Sequence, residues 1–198
     1  MCDGSLDKML FNKMGSNAGV LSWEQRLMIV RGVAEGMLYL HEGWEQQVLH
    51  RDIKASNVLL DADMTAKLGD FGLARLHEHG QHPHTTKVVG TLGYLAPEFA
   101  RTGKATTSTD VYSFGVVLLE ILTGERAIHK QSHGPVNIVD FAVPRIVNHS
   151  LASILDQRPG VPRANELKAL EMIGQLAATC VQLEGKGRPT MTDIVAVL

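Results

Sequence analysis

The chain has 198 residues, 44% of them hydrophobic and 20% charged, which is enough for one well-packed domain of ordinary globular composition. A formal net charge of -2 gives no basic field, so neither a nucleic-acid polymer nor an anionic membrane surface is expected as partner. Cys2 and Cys180, far apart in the chain, form neither a disulfide framework nor a CxxC metal pattern, which points to a reducing, intracellular setting, and no apolar run approaches the roughly 20 residues of a membrane span.

Ser22 and Gln25 have the spacing of a capping box, and Leu27, Val30, Val33, Ala34, Met37 and Leu38 form an apolar stripe behind them. A helix is therefore predicted from about Trp23 to His41. Short apolar runs at Val48-Leu49, Val58-Leu59-Leu60 and Ala66-Lys67-Leu68, separated by turn formers such as Asp61 and Asp63, predict small strands around loops. From Gly72 to Gly93 the composition turns to Gly, His and Thr without periodicity, the pattern of a long functional loop. Asp110 to Leu122 is apolar on nearly every side and is followed by Gly124, so a central helix is expected there. Helical patterns at about Val136 to Val147, Glu166 to Val181 and Thr190 to Leu198 make the second half of the chain, by this reading, all helix.

The chemistry concentrates between these elements. His50-Arg51-Asp52-Ile53-Lys54-Ala55-Ser56-Asn57 places a carboxylate, an ammonium and an amide in one turn-rich loop after a strand, and phosphoryl transfer needs those three groups together. Asp52 would accept the proton of a substrate hydroxyl, and Lys54 would balance charge on the phosphoryl group being moved. Asn57 offers a neutral oxygen to a hard cation such as magnesium. After a short hairpin, Asp70-Phe71-Gly72 joins an ionised aspartate, the expected main magnesium ligand, to an aromatic anchor and a flexible glycine. Gly90-Thr91-Leu92-Gly93-Tyr94-Leu95-Ala96-Pro97-Glu98 closes the long loop, with Asp110 and Arg188 beyond it. His77, His79, His82 and His84 cluster in the loop without cysteine partners or ligand spacing, so a solvated loop is preferred over a metal site.

In order and spacing these segments resemble a protein kinase, with a catalytic loop at 50-57, a metal-binding DFG at Asp70 to Gly72 and an activation segment over 70-98 that ends in Ala96-Pro97-Glu98. Leu21-Ser22-Trp23-Glu24-Gln25-Arg26, Tyr39-Leu40-His41-Glu42 and Leu95 to Ala105 are similar to the plant receptor-like kinases, the L-type lectin receptor kinases in particular. The resemblance covers essentially the whole chain, 1-198. It implies an α+β, mainly α-helical fold, the C-terminal lobe of a kinase with small β-hairpins around the catalytic loop. Lys54 two residues after Asp52, with Thr91 in the substrate-binding segment, looks like the kinases that modify serine and threonine.

What the resemblance implies for single residues differs from their plain reading. Asp110 near a helix start would suit the positive end of the helix dipole in any protein, and in a kinase it would also brace the catalytic-loop backbone. Glu98 and Arg188 would otherwise be surface charges, and in a kinase they pair as a buried structural bridge. His50 would pack beneath Phe71. Arg51 would read a phosphate placed on Thr85, Thr86 or Thr91, the site among the three being open.

The resemblance also implies ATP and magnesium as cofactors, protein serine and threonine hydroxyls as substrates, and other receptor kinases as partners. It places the chain in the cytoplasm as written, or on the intracellular side of the plasma membrane within a receptor. Upstream of Asp52 the only lysines are Lys8 and Lys13, and there is no G-x-G-x-x-G or V-A-I-K, while residues 1-7 look like the hinge between two lobes. The N-terminal lobe is therefore expected to be absent. Two functions follow: the catalytic and substrate-binding part of a kinase, or a kinase-like interaction module without catalysis.

Overall fold

The computed structural model describes residues 4–11, 20–43, 46–77, 89–131 and 134–198. Strand β1 (Gly4–Ser5) leads directly into α1 (Leu6–Phe11), which buries Leu6 and Leu10. Helix α2 (Trp23–Glu42) begins at the expected capping box: the Ser22 hydroxyl accepts from the Gln25 N–H, and the Gln25 side chain accepts from the Ser22 N–H. Its buried stripe, Ile29, Val30, Val33, Ala34 and Met37, recurs at helical spacing and faces the core.

The strands are short and each is held by a turn or a partner. β2 (Gln47–Leu49) pairs antiparallel with β5 (Arg75–His77), while β3 (Val58–Leu60) pairs with β4 (Ala66–Leu68) and with β1. At the β3–β4 turn the Asp61 carboxylate accepts from the N–H groups of Asp63 and Thr65, so a side chain completes the backbone bonding that a tight turn leaves open. Because β2 lies against β5 through Leu49 and Arg75, the loop that follows β2 and the segment that precedes β5 start from one place.

The second half is mostly helical, with one correction to the sequence reading. α3 (Pro97–Thr102) is a short helix with proline at its first position, and α4 (Thr107–Thr123) starts three residues earlier than expected, at a capping box between Thr106 and Thr109. The chain then forms a hairpin, β6 (Ile128–Gln131) and β7 (Gly134–Asn137), where an all-helical stretch was expected, and α5 (Ile138–Val147) begins only after it. Four-residue strands rich in His, Lys and Gln have no period to detect, and Gly134 at φ +124° takes a backbone conformation closed to other residues. α6 (Ala164–Cys180) and α7 (Met191–Val197) complete the fold.

α4 is buried at every position from Thr109 to Thr123 except Ser113, and it packs against α2, α5 and α6. Each Leu, Ile or Val enclosed in this way stabilises the fold by about 2 kcal/mol against exposure. A Cβ on Gly115 would come within 2.7 Å of Cys180 and Val181, so glycine sets how closely α4 approaches α6. Arg26 of α2, also buried, donates to the carbonyls of Leu21 and Ile121 and to the Asp156 carboxylate, joining α2 to the end of α4. Among the described residues no helix is long and apolar enough to cross a membrane.

Candidate functional site

The loop after β2 is held from below. Asp110, in the first turn of α4, accepts from the His50 N–H at 2.8 Å and from the Arg51 N–H at 2.9 Å, and His41 Nε2 lies 3.2 Å from the same carboxylate. Arg51 has φ +70°, an unfavourable conformation for a residue with a side chain, and the charge-assisted bonds from both adjacent amides offset that cost. The His50 ring sits 3.1 Å from the Gly69 carbonyl through Nε2, while Nδ1 accepts a longer bond from the Asp52 N–H. A carbonyl only accepts, so Nε2 carries the ring hydrogen.

Asp52 is the point on which the loop converges. Its Oδ2 accepts from Lys54 Nζ at 2.6 Å and from the Asn57 side-chain amide at 3.1 Å, and its Oδ1 accepts from the Thr91 hydroxyl at 3.0 Å. Lys54 Nζ also reaches Thr91 Oγ1 at 3.2 Å, so a carboxylate, an ammonium and a hydroxyl from two distant segments form a closed triangle. The Asn57 nitrogen donates to the Asp52 carbonyl as well, at 2.8 Å. With its nitrogen committed to Asp52, the amide turns its oxygen the other way.

The DFG segment comes alongside through its backbone, since the Gly69 N–H donates to the Asn57 carbonyl at 2.8 Å. Asp70 is exposed and left-handed at φ +59°, a conformation that aspartate tolerates better than most residues, and among the described residues its Oδ1 receives only a long bond, from the Gly72 N–H. An amide oxygen and a largely uncommitted carboxylate are hard donors of the kind magnesium takes together with phosphate oxygens, so Asn57 and Asp70 fit that ion. Phe71 lies with its ring centroid 4.8 Å from that of His50 and remains 47% exposed.

The end of the long loop is a turn in which the Tyr94 N–H donates to the Thr91 carbonyl. Gly93 lies at φ +97°, and a Cβ there would come within 3.1 Å of Ala127 and Ile128, so conformation and space both require glycine. The Tyr94 hydroxyl donates to the Glu120 carboxylate, 2.7 Å from each oxygen, and the Ala127 N–H supports the same group at 2.9 Å. Ser113 donates to the Tyr94 carbonyl at 2.7 Å. Burial without a bonded cation pushes the Glu120 carboxyl up to about 7, and burial beside Glu120 pushes the Tyr94 hydroxyl far above its ordinary range.

Beyond the turn, Glu98 meets Arg188 in a two-pronged pair at 2.6 and 2.8 Å, with the guanidinium also bonded to the carbonyls of Ser108 and Gln182. The Arg188 side chain is fully enclosed, whereas Glu98 is 22% exposed. His50, Asp52, Lys54, Asn57, Thr91 and Asp110 are thus brought together, Asp70 and Phe71 adjoin them, and Glu98 and Arg188 form a separate pair. Thr85 and Thr86, with His79, His82 and His84, lie outside the described residues.

Four residues escaped the sequence reading. Burial, and after it the charge of Arg75, lower the pKa of the Arg51 guanidinium, which marks Arg75 as a second cation beside Arg51. Tyr94 and Ser113 were also missed, and neither carries a signal in a single sequence. Glu120 carried one, being the lone carboxylate after Asp110 in the apolar run of α4.

The family model described as protein kinase domain matches residues 1–197. An L-type lectin-domain containing receptor kinase IV.2 of Arabidopsis thaliana is 48% identical over 200 residues, covering 100% of this chain and 29% of the relative. The L-type lectin-domain containing receptor kinase SIT2 of Oryza sativa subsp. japonica is 52% identical over 159 residues, 80% of this chain and 23% of the relative. The chain thus spans less than a third of the length of the relatives it matches.

Proposed function

The chain belongs to the protein kinase domain family, and from that premise we propose that it is the substrate-binding and catalytic part of a serine/threonine protein kinase. The observation that carries this reading is the closed arrangement of Asp52, Lys54, Asn57 and Thr91 on one carboxylate. Asp52 Oδ1 already accepts a hydroxyl hydrogen from Thr91, which is the bond it would make to a substrate serine or threonine while taking its proton. Lys54, 2.6 Å from Asp52, brings a positive charge to the place where the transferred phosphoryl group passes. Asn57 and Asp70 would hold magnesium, which supplies charge neutralisation at the phosphates of ATP. His50, with its ring hydrogen given to Gly69 and its face to Phe71, keeps the catalytic loop and the DFG segment in one register.

Arg51 and Arg75 would receive a phosphate on Thr85, Thr86 or Thr91, since the charge of Arg75 adds to burial in lowering the pKa of Arg51, and an anion placed between them would relieve it. In the plant relatives' setting, this part of the protein would face the cytoplasm beneath the plasma membrane, with other receptor kinases among its partners. The test is to join a kinase N-terminal lobe, with its glycine loop and lysine, ahead of Met1 and measure phosphate transfer to a protein substrate. Activity is expected, with Asp52→Asn and Asp70→Ala each lowering it at least a hundredfold. A fusion whose rate ignores both substitutions would refute the assignment, and one that never transfers phosphate would leave the chain as a kinase-like interaction module.

A further inference from the structure

Of the positions of α4 from Thr109 onward, Ser113 is the one not buried in the core, and its hydroxyl is spent on another segment. It donates to the Tyr94 carbonyl at 2.7 Å, with its own helix's Thr109 carbonyl farther off at 3.2 Å. A serine hydroxyl has one hydrogen, and the shorter bond takes most of it. The same residue, Tyr94, is gripped at its other end by Glu120, seven positions or about two turns along the helix.

Asp110, Ser113 and Glu120 recur on one face of α4, since steps of three and seven return to the same side of a helix. The first holds the amides of His50 and Arg51, and the other two hold the two ends of Tyr94, about 10 Å of helix apart. Tyr94 closes the turn that begins at Thr91, and Thr91 bonds Asp52 and Lys54. One rigid helix therefore fixes the distance between the catalytic loop and the substrate-binding turn. Glu120 fixes the ring of Tyr94, but a tyrosine ring can swing about its own bonds while the backbone moves. The carbonyl bond from Ser113 is the one that acts on the backbone itself.

We propose that Ser113 is a positioning residue for the protein substrate, holding the turn from Thr91 to Tyr94 at its working height above Asp52 through the Tyr94 carbonyl. It touches neither substrate nor nucleotide. This deepens the kinase reading and rests on it for the word substrate. Removing the hydroxyl leaves the carbonyl without its donor and lets the turn ride loosely, while the catalytic loop, anchored separately on Asp110, stays in place.

Two measurements test it. In the chain itself, Ser113→Ala should raise amide hydrogen exchange over residues 90–95 about fivefold, the effect of losing one ordinary hydrogen bond, with residues 50–57 unchanged and Ser113→Thr restoring the protection. In the N-terminal-lobe fusion, Ser113→Ala should raise KM for a peptide substrate about fivefold, with kcat and KM for ATP unchanged, where a merely structural loss would lower the melting temperature and leave that ratio alone. Wild-type exchange over 90–95 in Ser113→Ala overturns the proposal, and so does an unchanged peptide KM in an active fusion. If the wild-type fusion transfers no phosphate, the kinase reading fails and the exchange result decides the role of Ser113 as a tether of the turn.

Discussion

The Thr91 hydroxyl donates to Asp52 Oδ1 across 3.0 Å, joining two residues 39 positions apart through the one acceptor that a substrate hydroxyl would need. Lys54 bonds both partners, so the three side chains hold each other in place. Thr91→Val keeps the shape and removes the hydroxyl. In the N-terminal-lobe fusion it should lower kcat/KM for a peptide about tenfold, whereas Thr91→Ser stays near wild type. Steady-state kinetics on the two variants check this, and equal loss in both would show that the methyl group, not the hydroxyl, matters.

Asp110 is a buried carboxylate that serves two backbone amides and faces His41. Asp110→Asn turns one side of the group into a donor, so one of the two amides meets a nitrogen instead of an oxygen. We expect a loss of about 2 kcal/mol in urea unfolding, together with faster hydrogen exchange at His50 and Arg51. A variant with wild-type stability would mean that the brace is dispensable.

Glu98 leaves Arg188 with a fully enclosed guanidinium when it is removed. The carbonyls of Ser108 and Gln182 continue to accept from it, but no anion balances the charge. Glu98→Ala should therefore cost about 3 kcal/mol, more than an exposed pair could. Combining it with Arg188→Met should recover part of the loss, since the double variant has no stranded charge, and a double-mutant unfolding cycle measures that recovery.

Glu120 gives the fold a pH dependence with a definite sign. Its carboxyl is raised on folding from an ordinary 4.5 to about 7, chiefly by burial, with Tyr94, Ala127 and Arg126 pulling downward and Asp7 adding a little upward. The folded chain thus binds this proton more tightly than the unfolded chain, so the stability it contributes is present below the ordinary value and is lost as pH rises through about 7. Glu120→Gln removes that slope. Between about pH 5 and about pH 8 the variant should gain on the wild type by on the order of 3 kcal/mol in unfolding free energy. Parallel pH dependences in the two proteins would show that Glu120 does not titrate in this window.

The local elements and the order of the polar loop segments were legible in the sequence because they are written in neighbouring residues. The Ser22 capping box, the stripe of α2, the apolar run of α4 and the order His50 to Asn57, Asp70 to Gly72 and Ala96 to Glu98 all depend on spacing along the chain, which backbone geometry converts directly into faces and turns. The β6–β7 hairpin was not legible, because strands this short have no measurable period and are formed by pairing with each other. Nor were the bonds from Ser113 to Tyr94 and from Thr91 to Asp52, or the nearness of Arg75 to Arg51. Each of these joins groups far apart in sequence, and only the tertiary arrangement, α4 packed beneath the 50–57 loop and the turn from Thr91 to Tyr94, and β2 paired with β5, decides which of the many polar residues meet.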